Sequence, residues 1–295
     1  MNEFIVIRYW TRTISSAISI FAQNDGPRWS GLLLVEAFIE LRCRNRDDQM
    51  SPASIKKIDP EISNYRGEPV KTGWSGGRVL ENRGATFGRY ASSKLSAGFS
   101  AGVWECPPAM TASVRQAADQ IIFPVDGEAT IIDSGGFTLK VGIGDGVFLP
   151  KGAEFKWTQS SASRALFISN TDNEDSKSGP KKPLLIPADK PLLDDFPLPP
   201  ANTYLSELPR QKAWALGNDL ALSIGMWEST PFRRKPVPFQ RYEFMYIQQG
   251  SFLLAPEDGK VLRFGVGDLF FVDYGGDIAF SADEYVKKIY WSFYP

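Results

Sequence analysis

No histidine occurs anywhere in the 295 residues, and that absence limits the chemistry open to this chain. Histidine is the commonest metal ligand and the usual general base near neutral pH. Without it, Ser-His-Asp and Cys-His nucleophile systems, H-E-x-x-H zinc sites and all His-ligated metal sites are excluded. Cys43 and Cys106 are the only cysteines; they form neither a disulfide framework nor a zinc-ligand spacing. Cys106 has no base beside it and reads as an inert buried thiol.

Glu243 is the remaining candidate for acid–base work, and Arg241 stands two residues before it. On a strand that spacing puts both side chains on one face. Glu243 is then either a pocket carboxylate, with Arg241 orienting an anionic substrate, or half of a plain ion pair. Arg233-Arg234-Lys235 could meet an acidic ligand, but a solvated turn is the better reading. Gly142-Ile143-Gly144 and Gly265-Val266-Gly267 are turn glycines without the strand–helix context and third glycine of a nucleotide-binding fingerprint.

Composition bounds the class. An apolar share of 43% against 23% charged residues is that of a soluble globular protein. A net charge of -1 offers no attraction to nucleic acid or an anionic membrane. Two distant cysteines fit a reduced, cytoplasmic setting.

The elements that must position these residues come in two copies. Gly102-Val103-Trp104-Glu105-Cys106-Pro107-Pro108 recurs as Gly225-Met226-Trp227-Glu228-Ser229-Thr230-Pro231, an offset of 123 residues. The same offset pairs Gly127 with Gly250, Gly144-Asp145 with Gly267-Asp268, Phe148 with Phe271, Gly152 with Gly275 and Ser169 with Ser292. A register held this long without insertion indicates a duplicated domain, since solenoid repeats have shorter periods. In each copy two short strand-like runs flank a Gly turn, at Ser134-Gly135-Gly136 and at Glu257-Asp258-Gly259, which predicts a hairpin. Past Met50 no long 3.6-residue period occurs, so the expectation is all-β, with the strands closed into barrels that hide their edges.

We expect barrels over residues 50–170 and 203–295, joined by a Pro-, Lys- and Asp-rich linker at 171–202 that lies along a surface. Residues 1–49 lack the barrel pattern and are expected to be a disordered leader or an over-extended reading frame, with Met50 as the natural start. A helix packed on a barrel is the alternative. The apolar stretches Ile14 to Ala22 and Leu32 to Phe38 fall short of the roughly 20 residues of a membrane span, and no clean cleavage site follows the first.

These residues resemble the cupin superfamily, whose second motif is G-x5-P-x-G followed by a ligand histidine. Gly144, Pro150 and Gly152 match it with Phe155 in the histidine position; Gly267 and Gly275 match with Asp273 for the proline and Ile278 for the histidine. The first motif ends in E-x6-G, met by Glu243 to Gly250 and, with an amide, by Gln120 to Gly127. The Gly-x-Trp-Glu strand, Glu243-Phe244-Met245-Tyr246 and Lys287-Lys288-Ile289-Tyr290 look like the (S)-ureidoglycine aminohydrolase cupin domain family. The resemblance implies two RmlC-like jelly-roll barrels, or double-stranded β-helices, in tandem.

It also implies where a cupin metal would sit. The ligand positions fall on Val114, Gln116, Gln120 and Phe155 in copy one, and on Val237, Phe239, Glu243 and Ile278 in copy two. Two neutral amides and one carboxylate do not supply the three or four donors a transition metal requires. We therefore expect no metal and no cofactor. Gln116, Gln120, Phe155, Phe239, Arg241, Glu243 and Ile278 remain as ligand-pocket candidates, with Glu243 the candidate catalytic group. Two functions fit: a metal-free binding or regulatory module for a small organic ligand, or a metal-independent isomerase, lyase or hydrolase acting on a small polar metabolite. Alternation puts Phe244 and Tyr246 opposite the pocket, with Ile121 and Phe123 in the matching places of copy one. We expect these apolar stripes to be covered by the other barrel or by a second chain.

Overall fold

The computed structural model describes residues 54–61, 74–75, 79–82, 89–96, 98–170, 181–190, 194–216, 222–256 and 259–293. The expected leader and the start at Met50 lie outside them. Among the described residues there is no α-helix, and the strands form antiparallel sheets that make two jelly rolls in tandem.

In the N-terminal barrel one sheet runs Leu184–Ile186, Gly146–Leu149, Asp119–Asp126, Ser163–Asn170, Phe99–Cys106, Arg89–Lys94. A second sheet is built around the hairpin Ala129–Asp133 and Thr138–Val141, with Glu154–Gln159 beside it. The C-terminal barrel repeats this plan. One sheet runs Ile55–Ile58, Leu269–Val272, Tyr242–Gln249, Val286–Phe293, Leu222–Ser229, Gln211–Ala215, Asp194–Asp195, and the other is built on Ser251–Pro256, Leu262–Gly265 and Asp277–Ala282.

The duplication extends to register. Gln120 lies opposite Ser169, and Glu243 opposite Ser292. Trp104 lies opposite Ala165, and Trp227 opposite Lys288. Gly127 and Gly250 hold φ of +74° and +70°, where a Cβ would press within 2.9 Å of the Ala162 carbonyl oxygen and against that of Tyr285. Both the left-handed backbone and the close approach demand glycine.

Two edge strands come from outside the barrel whose sheet they join. Ile55–Ile58 precedes the N-terminal barrel in the chain yet pairs with Leu269–Val272 of the C-terminal one. Leu184–Ile186, within the segment expected to link the barrels, pairs with Gly146–Leu149 of the N-terminal one. Ile55–Ile58 thus covers an edge of the C-terminal sheet, and the linker strand covers an edge of the N-terminal one.

Three cores result. One fills the N-terminal barrel around Trp104, Phe155 and Trp157, and one fills the C-terminal barrel around Trp227, Phe252, Phe270 and Ile278. The third lies between the barrels, where Phe99, Ile121, Phe123 and Phe148 meet Phe244, Tyr246, Phe271 and Trp291. The rings of Phe123 and Tyr246 stack at 4.5 Å, and Phe99 meets Phe244 and Trp291 edge-on at 5.2 Å. Tyr242 is half-buried and packs against this core. Strand alternation produces the layering: even-numbered residues of Tyr242–Gln249 face the other barrel, while Glu243, Met245 and Ile247 face inward.

Candidate functional site

The two barrel interiors differ in what they hold at equivalent positions. In the N-terminal barrel, Gln116 Nε2 donates to Gln120 Oε1 at 3.2 Å. Gln116 Oε1 is buried and accepts no hydrogen bond from the described residues. Val114 and Phe155 are cross-strand partners, each 1% exposed. Trp157 meets Trp104 edge-on at 5.2 Å, and its indole N–H donates to Gln159 Oε1 at 2.9 Å. These side chains belong to the packed core of the barrel. Cys106 is buried there, and desolvation pushes its thiol up to about 12, so it is no nucleophile.

The C-terminal barrel carries charge. Glu243, 1% exposed, accepts from Lys288 Nζ on Oε1 at 2.7 Å and from Arg241 Nε on Oε2 at 2.5 Å. Lys288 is itself buried. Its ammonium lies 3.3 Å from Met245 Sδ and 5.2, 5.5 and 6.0 Å from the ring centroids of Trp227, Phe252 and Tyr290, within cation–π range. The Arg241 guanidinium lies 5.1 Å from the Phe239 ring, and its side chain is 38% exposed. A charged ladder therefore runs inward from solvent: Arg241, Glu243, Lys288.

Burial alone would raise the Glu243 carboxyl, but Arg241 and Lys288 outweigh it and hold the group below its ordinary value. Burial draws the Lys288 amine below its ordinary value, and Glu243 offsets only part of that. Glu243 is thus a fixed anion, tied on both oxygens, and Lys288 is the group of the pair whose proton is loosened.

Phe239 and Ile278, the other two candidates in this barrel, are packed into its core, with Phe239 stacked on Phe280 at 5.6 Å. Beside them is Arg234. Its backbone N–H donates to Phe280 O at 3.0 Å, and its guanidinium sits 5.5 Å from the Tyr204 ring. Expected to be solvated, Arg234 is half-buried, and its Nε is buried without an acceptor. Its neighbour Arg233 is exposed and pairs with Asp283.

Sequence reasoning thus brought Arg241 and Glu243 together but missed Lys288 and undervalued Arg234. A signal for Lys288 was present. Ile289 and Trp291 belong to the apolar outer stripe, so alternation turns Lys288 inward, where copy one has Ala165.

A cupin metal does not fit these residues. The four positions of copy one supply two neutral amides, and those of copy two supply one carboxylate already held by two cations. Among the described residues no three Cys, Asp or Glu side chains are grouped to hold a metal ion. No helix among them is long and apolar enough to cross a membrane.

Comparison with known proteins places this geometry. A EutQ-like cupin domain matches residues 94–164 and again 216–290. No curated protein matches the chain. Among solved structures, a protein of unknown function of the DUF861 family from Pseudomonas syringae pv. tomato str. DC3000 is 23% identical, with a TM-score of 0.61 over 82% of this chain and 100% of that one. A cupin 2 conserved barrel domain protein from Leptotrichia buccalis is 10% identical, with a TM-score of 0.50 over 77% and 100%. Salicylate 1,2-dioxygenase from Pseudoaminobacter salicylatoxidans is 13% identical, with a TM-score of 0.52 over 92% of each chain. At these identities the likeness extends to fold alone. With two matched domains, one repeated register and two jelly rolls, the chain is a tandem member of the cupin superfamily.

Proposed function

We propose that this protein is a cytoplasmic, metal-free bicupin that binds a small organic ligand in its C-terminal barrel, with the N-terminal barrel as its structural partner. One observation carries this reading: the Arg241–Glu243–Lys288 ladder occurs in one copy only. Its equivalents in copy one are Ala118, Gln120 and Ala165. A buried ion-paired set contributes little net stability compared with apolar residues, so its presence in one barrel of two points to recognition and not to the fold.

Native mass spectrometry of the full chain tests this. A co-purifying or added small molecule should bind, and Ile278→Phe, which adds bulk to the C-terminal barrel's core, should abolish it in a protein that still melts cooperatively, while Gln116→Leu in the other barrel leaves it intact. Occupancy that follows the Gln116 substitution would overturn the assignment.

A second reading, a metal-independent enzyme related to the ureidoglycine aminohydrolase-like cupins, is favoured by the loosened proton of Lys288. A buried amine of this kind can act as base or nucleophile, whereas Glu243 is held ionised and suits a positioning role. Turnover of a small polar substrate that Lys288→Met abolishes and Lys288→Arg fails to restore would establish it.

A further inference from the structure

We propose that Arg234 and Arg241 form a carboxylate-binding site at the solvent end of the charged ladder, which makes the ligand of the C-terminal barrel a small organic acid. This rests on the reading of that barrel as a ligand site and adds the chemical class.

Among the described residues Arg234 has no ion-pair partner, and its buried Nε donates to no acceptor. A buried donor left unsatisfied costs free energy, and native structures explain such groups by water, an ion or a function. The surroundings sharpen the choice. Burial draws the Arg234 guanidinium below its ordinary value, the Tyr204 phenol opposes that, and Arg241 adds a like charge; no carboxylate contributes. Arg241 has Glu243 as its counter-charge, whereas Arg234 has none among the described residues, and an incoming anion would supply it.

The geometry is consistent with an incoming anion. Arg234 is tethered through its backbone to Phe280 in strand Asp277–Ala282. Arg241 lies over Phe239, which stacks on Phe280, so both residues adjoin the same strand, Arg234 through its backbone and Arg241 through the Phe239 ring. Planar guanidinium groups match the two oxygens of a carboxylate. The Tyr204 ring lies against Arg234 and the Phe239 ring against Arg241, and an apolar border favours an organic acid over a hydrated inorganic anion. Copy one lacks both arginines. Thr111 and Ala118 replace them, and Thr111 is a satisfied core residue whose Oγ1 accepts from the Trp157 backbone N–H at 2.8 Å.

Isothermal titration of the full chain at low ionic strength with acetate, succinate and benzoate, each beside its amide, and with inorganic phosphate provides the test. At least one acid should bind about tenfold or more tightly than its amide, the worth of a charge-assisted hydrogen bond. Arg234→Gln should weaken that acid about tenfold or more without changing the amide, while Arg234→Lys, which keeps charge but loses the fork, falls between. Comparable melting temperatures for the three proteins show that the fold is intact. Equal binding of acids and amides, acid binding indifferent to Arg234→Gln, phosphate bound above every acid, or no binding by any acid would each overturn the proposal. A neutral molecule displaced by Ile278→Phe would sink this inference while leaving the C-terminal barrel as the ligand site.

Discussion

Replacing Glu243 with leucine isolates the electrostatics of the C-terminal barrel. The carboxylate is the shared acceptor of Lys288 and Arg241. Removing it leaves the Lys288 ammonium, whose side chain is 8% exposed, in a nest of aromatic rings without its counter-charge. Stranding one member of a buried pair costs about 3–5 kcal/mol. Arg241 adds little to that cost, because a side chain more than a third exposed can turn to water. For a folded unit of this size, each kcal/mol moves the melting temperature by about 2–4 °C, so Glu243→Leu should lower it by about 6–20 °C. Adding Lys288→Met should restore most of the loss, since an apolar pair of similar volume avoids the desolvation penalty. Thermal melts of wild type and the single and double variants at neutral pH, followed by circular dichroism, measure both quantities. If the single variant melts within about 2 °C of wild type, or the double variant is no better than the single, the account of a buried, mutually compensating pair is wrong.

Other outcomes follow from the same structure. Because Glu243 is held below its ordinary value of 4.5, its contribution to stability is fully present above that pH and is lost as pH falls through the lower folded value. Denaturant titrations should therefore show the gap between wild type and Glu243→Gln narrowing below about pH 4.5, and a gap independent of pH would count against it. Phe244, 1% exposed in the core between the barrels, should cost about 3–5 kcal/mol on truncation to alanine; a melt like that of wild type would show that the barrels do not depend on this contact. Elemental analysis of the tag-free protein should find well under one equivalent of manganese, iron, zinc or nickel, and stoichiometric metal retained after mild chelation would contradict the donor argument.

Some of this protein is determined by sequence alone. The lack of histidine settles which donors exist, since no fold can supply a ligand that the chain does not contain. The offset between Gly102 and Gly225, with its paired glycines, reports the duplication because each turn needs a left-handed residue at one place. Alternation along Tyr242–Gln249 separates an inner face carrying Glu243 from an outer face carrying Phe244 and Tyr246, because side chains on a strand change sides at every residue.

The tertiary structure decided the partnerships. Glu243 meets Lys288, which is 45 residues away, and only the antiparallel pairing of Tyr242–Gln249 with Val286–Phe293, which places Lys288 opposite Ile247, brings the ammonium to the carboxylate. Arg234 looks like a solvated turn in a basic tripeptide; its burial depends on Tyr204 and Phe280, which reach it from other parts of the chain. The docking of Ile55–Ile58 on the C-terminal sheet and of Leu184–Ile186 on the N-terminal one is equally hidden. A strand's own pattern says which face is apolar but not which of two near-identical sheet edges it will join, and that choice is made by the packing of the two barrels against each other.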